Sequence, residues 1–337
     1  MVNKQIYSIT TNLSRYGGAQ KVLLDLHNGI KGVFDCKIIG FQSFDELHPK
    51  YKIERSDYLQ LKNPFVLNGK IIIVHARNVM SFLAVLKKVF FLDTQIVYVS
   101  HNVYDNHRRI TFLPDIVVSI SKKVTDNLVR FFNVNPRNIT LIYNGIKDFY
   151  ENEKWAAPTY KKEKIVILYP ARVNAVKRQL SIIDNLAGKL SPNIEINFAG
   201  VGDDYELLVE RCRQSSNFKA LGFMDNMDDV IKRADYLMLY SLQEGLPIAL
   251  IEGIMHGKPL LVNNVGGNLE LGIPGYNAIE LDEDWDKLAA TLNRLESITN
   301  QEYGHMSLNS RKNFCENFTY GKMISNYIHF LKKVQSR

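Results

Sequence analysis

Short runs rich in β-branched residues alternate with segments of helical periodicity twice along the 337 residues, and this alternation limits the fold more than any other feature. The first series reads QIYSIT, KVLLDLHNGI, DCKIIGF, KIIIVHA, QIVYVSHN, DIVVSIS and NITLIYNG. Strands separated by helices predict a parallel sheet covered on both faces. At 151–164 the text turns polar and proline-bearing, ENEKWAAPTYKKEK, which reads as a linker. The alternation then restarts with KIVILYP, NIEINFAG, FKALGF, ADYLMLY and KPLLVNN. A chain of this length exceeds one ordinary core. The expected class is α/β, with two facing, doubly wound, Rossmann-like domains at 1–155 and 156–319 and a cleft at the carboxyl ends of their strands. The last segment, YGKMISNYIHFLKKV, has helical periodicity with Met323, Ile324, Tyr327, Ile328 and Leu331 on one face.

Charge narrows the partners. The net charge is +7, and residues 1–155 hold 21 Lys and Arg against 13 Asp and Glu, while the remainder holds 21 against 22. The basic excess of the first half fits either an anionic partner or a solvated basic surface. Nucleic acid is disfavoured as that partner, because no zinc finger, basic helix or aromatic RNA-binding motif accompanies the charge. Cys36, Cys212 and Cys315 are odd in number and lack ligand spacing, so a reduced, cytoplasmic protein without disulfides or zinc is expected. The opening MVNKQIYSIT has no signal-peptide pattern, and no run approaches the ~20 apolar residues needed to span a bilayer. SFLAVLKKVFFL, Ser81 to Leu92, invites a membrane reading because two lysines accompany an apolar face. Its position between two strands favours a crossover helix packed on the sheet.

Four segments carry possible chemistry. In EGLPIALIEGIMHGKP, Pro247 suits a helix start and Gly257 with Pro259 a stop, which makes Glu244 a loop residue and Glu252 a helical one. A carboxylate among Ile248, Ala249, Leu250, Ile251, Ile254 and Met255 needs a partner, either a basic residue such as Lys258 or Arg172 or a ligand hydroxyl. Gly17 and Gly18 precede a helix, where backbone amides can approach a phosphate, although a tight turn explains them equally well. Arg172 and Lys177 follow the strand KIVILYP and suit a diphosphate, whereas Arg178 reads better as a solvated loop cation. His101 ends the strand QIVYV and is the best placed of eight histidines; His75 also ends a strand but reads as structural. His27 and His329 sit in helical patterns, and His256 fills a site that needs only a small polar residue. No metal-ligand spacing and no nucleophile-base signature are found.

Taken together, these residues resemble the retaining glycosyltransferases of family 4, which have the GT-B fold. The segment from Glu244 looks like the family's E-x7-E signature, with Gly245, Leu246 and Pro247, then Glu252, Gly257, Pro259, Gly266, Gly267 and Glu270 at the familiar places. YPARVNAVKRQ looks like its strand-Arg-loop-Lys segment, LGFMDNMDDVIKRADYLMLYS, with Met224, like its base-binding loop, and DIVVSISKKVTDNLVRFFNVNPRNITLIYNGI like the end of its first domain. Three departures stand out. VNAV separates Arg172 from Lys177 without an acidic residue, Arg178 follows where glycine is common, and His256 replaces a small residue.

The resemblance implies that Glu252 binds ribose hydroxyls of a nucleotide sugar and that Glu244 holds hydroxyls of the transferred sugar. It further implies that Arg172, Lys177 and the amides around Gly245 and Leu246 stabilise the departing diphosphate, with Gly17 and Gly18 near the same phosphates and His101 beside the sugar. No cofactor or metal is implied. Partners would be a nucleotide-sugar donor, UDP-linked by preference, and a glycan or lipid-linked acceptor in bacterial cell-surface polysaccharide or lipopolysaccharide assembly. The helix 320–337 would pack back on the first domain. The basic first domain fits an enzyme peripheral to the inner face of the cytoplasmic membrane. A nucleotide-sugar epimerase and a non-catalytic binding subunit of the same fold are the alternatives.

Overall fold

A computed structural model describes residues 4–14, 17–160 and 163–336. Two compact units emerge: Met1–Gly145 with Tyr320–Arg337, and Ile146–Thr319. In the first, strands β1 (Ile6–Ile9), β2 (Cys36–Gly40), β3 (Tyr58–Gln60), β4 (Ile71–Val74), β5 (Gln95–Ser100), β6 (Ile116–Ser119) and β7 (Ile139–Leu141) form one sheet in the order β3-β2-β1-β4-β5-β6-β7. Every pairing is parallel. Helices on both faces make the central strands mostly apolar, and β1, with Ser8 its one small polar residue, and β4 are buried at all four positions. The order reverses between β1 and β4, so the loops leaving these two strands diverge and open a crevice at the carboxyl edge.

The second unit repeats the plan with β8 (Ile165–Pro170), β9 (Ile194–Ala199), β10 (Phe218–Gly222), β11 (Tyr236–Leu239), β12 (Leu260–Val262) and β13 (Ala278–Glu280) in the order β10-β9-β8-β11-β12-β13, again all parallel. Its reversal lies between β8 and β11. The periodicity of the sequence marks all of these strands except β3 and β13. Both are three-residue edge strands set among polar residues, SDYLQLKN and GYNAIELDE, whereas the equally short β7 lies within the apolar run NITLIYNG.

The polar segment 151–164, expected as a linker, belongs to the second unit. Its aromatic residues anchor it there. Tyr160 is buried, donates its hydroxyl hydrogen to the Leu295 carbonyl at 2.7 Å and stacks on Tyr303 with ring centres 4.4 Å apart. Lys161 and Lys162 of that segment lie outside the described residues.

The final helix, Tyr320–Gln335, buries Met323, Ile324, Tyr327, Phe330, Leu331 and Val334, with Ile328 only half-buried. It packs on the first helix of the chain, Gly18–Ile30. The Tyr320 hydroxyl donates to the Asp25 carbonyl at 3.1 Å, and a Cβ on Gly29 would stand 2.3 Å from Ile324 Cδ1, so glycine there sets the approach. Arg337 lies outside the described residues. Among the described residues no helix is long and apolar enough to cross a bilayer.

Candidate active site

Two groups of the expected residues stand at carboxyl edges of sheets, one in each unit. In the second unit the loops after β8 and β11 flank the point of strand reversal. The loop after β8 brings Lys177, and the loop after β11 brings Glu244, whose carboxylate Oε1 accepts from the Lys177 ammonium. Glu244 is only 7% exposed. A carboxylate so buried is stable because a half-buried cation pairs with it and the local geometry is imposed by the backbone.

Several groups impose that geometry. The Asn174 side chain accepts from the Lys177 amide at 3.1 Å, closing a short 3₁₀ turn over Ala175–Lys177. The Tyr169 hydroxyl donates to the Lys177 carbonyl at 2.6 Å and accepts from the Tyr240 amide at 3.0 Å, tying this loop to the end of β11. On the other side, Gly266 has φ of +54°, and a Cβ there would lie 2.3 Å from the Glu244 carbonyl oxygen. The Gly267 amide donates to the Gly245 carbonyl at 2.7 Å. Glycine at 266 is thus needed for two backbones to touch behind Glu244. Leu246 is buried, and Pro247 caps the helix Ile248–Met255, which stops at His256 before Gly257 in the left-handed conformation, φ +70°. Its first amides precede the helical hydrogen-bond ladder and present partial positive charge.

The remaining expected residues of this unit are less enclosed. Arg172 is exposed, and its carbonyl accepts from Gln179 at 2.9 Å. Met224 is half-buried in the loop after β10. Glu252 is half-buried, so the helix leaves it more access than its apolar neighbours imply. Lys258, one candidate to neutralise it, is committed elsewhere: its ammonium donates to the Lys232 carbonyl at 3.0 Å, and burial pulls it down to about 8.

Two expectations are corrected. Arg178 is no solvated cation: its guanidinium donates to Glu283 at 2.6 Å and lies 4.4 Å from the Tyr240 ring centre and 4.8 Å from that of Trp285. These contacts hold a residue with φ of +57°, a conformation that favours glycine. His256 does more than fill space. It is buried, with Nδ1 2.9 Å from the Tyr150 hydroxyl and Nε2 2.7 Å from Asp228, and it ties three segments of the unit together.

In the first unit, Gly17 and Gly18 start the helix Gly18–Ile30 after β1. The backbone at Gly17 is extended, and among the described residues no side chain hydrogen-bonds as a cap and the first turn holds no acidic residue. His101 follows β5. Its Nε2 lies 2.9 Å from Nδ1 of His75, which follows β4, and the rings stack at 5.2 Å. Burial pulls His101 down to about 4 and, with the neighbouring imidazole, holds His75 well below the ordinary histidine range. At neutral pH both rings are uncharged, and one donates to the other. His75, read as structural, is buried and is a direct partner of His101, a contact that its strand-end position alone does not reveal. Tyr169 gives no signal in the sequence, because its role depends on bridging the Lys177 carbonyl to the amide of Tyr240, far along the chain. Among the described residues no three His, Cys, Asp or Glu side chains are grouped to hold a metal ion.

Comparison with known proteins agrees with this geometry. The family model described as Glycosyl transferases group 1 matches residues 149–313, and that of Glycosyltransferase Family 4 matches residues 34–148. The capsular polysaccharide biosynthesis glycosyltransferase CapH of Staphylococcus aureus is 28% identical over 163 residues, 46% of this chain and 44% of the relative. The UDP-Gal:alpha-D-GlcNAc-diphosphoundecaprenol alpha-1,3-galactosyltransferase of Escherichia coli is 26% identical over 213 residues, 57% of this chain and 53% of the relative. The chain thus spans about half the length of these curated relatives. The Anabaena protein HepE, solved with UDP, shares the fold at a TM-score of 0.79 and 16% identity, covering 98% of this chain and all of that one. With two Rossmann-like units of GT-B type and family matches running consecutively from residue 34 to residue 313, the chain belongs to the glycosyltransferases of family 4.

Proposed function

We propose that the protein is a retaining transferase that moves a sugar from a UDP-sugar to a hydroxyl of a glycan or lipid-linked acceptor in bacterial cell-surface polysaccharide or lipopolysaccharide assembly. The observation that carries this reading is the pair of half-buried Lys177 and buried Glu244 at the strand reversal, beside the N-terminus of the helix Ile248–Met255. An ammonium has three donors, and Glu244 orients Lys177 while leaving donors for a diphosphate. Arg172 adds a second, exposed cation on the same loop. With the helix amides, these groups stabilise the charge that develops as the diphosphate leaves, which is the task a divalent ion performs in other transferases. Glu244, already engaged by Lys177, suits the binding of sugar hydroxyls better than nucleophilic attack. The acceptor hydroxyl therefore attacks from the face the diphosphate leaves, and its proton passes to the departing phosphate oxygen. Glu252 binds the ribose, Met224 contacts the base, Gly17 and Gly18 offer amides to the phosphates, and His101 lies beside the transferred sugar. The UDP preference draws on the ligand of HepE and the donor named for the Escherichia coli relative. We place the enzyme in the cytoplasm, peripheral to the inner face of the membrane.

Thermal stability measured against UDP, GDP, ADP and CMP, with and without magnesium, tests the donor site. A nucleotide at ~100 times its dissociation constant stabilises by about 2.7 kcal/mol. UDP is expected to stabilise the wild type without magnesium and to do so much less in Glu252→Ala. If no diphosphate stabilises the protein, the transferase reading fails, and a binding subunit of this fold replaces it.

A further inference from the structure

The helix Arg77–Val89 connects β4 to β5 and buries Val79, Met80 and Leu83 on its sheet-facing side. Its opposite face is also apolar. Phe82, Val85 and Val89, at i, i+3 and i+7, are all exposed large hydrophobics. The chain then runs through Phe90 to Phe91, whose side chain is 92% exposed and whose backbone holds φ of +50°. That conformation is unfavourable for a bulky residue, and glycine or asparagine would adopt it at less cost. A solvated aromatic in a strained position is a poor choice for folding, so its use lies outside the fold.

Neighbouring segments extend the surface. Phe41 meets Phe82 with ring centres 5.8 Å apart, and Phe65 meets Phe90 at 5.5 Å. The segment Asp105–Phe112 is fixed against the helix by Ser81, whose hydroxyl donates to the Ile110 carbonyl at 3.2 Å and accepts from the Phe112 amide at 3.4 Å. That segment exposes Ile110 and Phe112 beside Arg108 and Arg109. Arg108, Arg109 and Lys88 are exposed and make no ion pair among the described residues. Under the same helix a groove of about 300 Å³ opens, lined by Met80, Ala84, Ile96, Leu113 and Pro114 among others.

A contiguous apolar surface of this breadth marks an interface, and aromatic rings edged by unpaired cations match an anionic bilayer in both layers, rings in the acyl boundary and arginines among headgroup phosphates. We propose that the outward face of the helix Arg77–Val89, with Phe91 and the segment Asp105–Phe112, is a docking surface for an anionic phospholipid bilayer. The sequence pattern permitted either a packed crossover helix or an amphipathic membrane helix, and the helix combines both roles on opposite faces. This inference does not rest on the sugar chemistry, and its test uses no donor.

The experiment is flotation of the full chain with phosphatidylglycerol vesicles and with phosphatidylcholine vesicles at low and high salt. Wild type is expected to float with phosphatidylglycerol at low salt and to be released by high salt. Phe82→Ser with Phe91→Ser should weaken partitioning about tenfold or more. Arg108→Gln with Arg109→Gln should weaken it about fivefold per arginine. Phe223→Ser, at an exposed ring of the second unit, should change nothing. Failure to float, or equal flotation of the wild type and the phenylalanine variant, overturns the proposal. So does a concentration-dependent dimer that the same variant abolishes, since a second copy would then be the occupant. All these outcomes leave the donor-site test unaffected.

Discussion

Replacing His101 by glutamine should remove a measurable part of the acid sensitivity of the first unit. His101 titrates at about 4 in the folded chain because burial disfavours its cation, against an ordinary value near 6.5. Between these values the unfolded state binds a proton that the folded state refuses. Stability is therefore full above the ordinary value and falls as pH drops through 6.5 toward 4. From pH 7 to pH 5 the loss attached to His101 is about 2 kcal/mol for a fully enclosed ring. Water reaches part of the residue, which reduces the loss to about 1–2 kcal/mol. For a unit of this size that is roughly 3–6 °C in Tm. His75 adds to the loss in the same direction. The assay is calorimetry of wild type and His101→Gln at both pH values, paired with NMR titration of the labelled histidines. Buried His27 and His256, also held low by burial, remain in both proteins and cancel. The wild type should lose more stability than the variant on acidification. Equal losses, or a His101 resonance titrating near 6.5, would refute the account of a neutral imidazole pair.

Three further outcomes follow from the second unit. Lys177→Met leaves the Glu244 carboxylate buried without its cation, so Tm should fall by an amount equivalent to about 2 kcal/mol, and transfer measured by product formation should drop about 100-fold or more. Gly266→Ala places a methyl group against the Glu244 carbonyl in a left-handed backbone; destabilisation of about 2 kcal/mol is expected in a melt, with a raised KM for the donor. Tyr169→Phe leaves the buried Tyr240 amide without its acceptor, costing about 1–3 kcal/mol, and loosens the Lys177 loop, which donor KM would report.

Much of this protein was legible in one dimension. Parallel sheets covered on both faces require continuous apolar runs, and those runs locate eleven of the thirteen strands among the described residues. The helix stop at Gly257 was legible for a related reason, since a backbone that must turn left-handed selects glycine; Gly266 stood out only through the resemblance to the family signature, and its close approach to the Glu244 backbone is tertiary. The aromatic content of 151–164, in contrast, was outweighed on the page by its charges, although Tyr160 and its stacking partner bind it to the second unit.

Sequence by itself determined the two α/β units and the carboxyl-edge positions of Glu244, Lys177 and His101, because strand periodicity and strand ends are local properties. Only tertiary structure decided partners. That Lys177 meets Glu244, that His75 meets His101, that Arg178 is spent on Glu283, and that the helix Arg77–Val89 keeps an apolar face outward all depend on which distant segments the sheet order brings together. A residue's type sets what it can bind, but the packing of residues far away in the chain sets what it is left to bind.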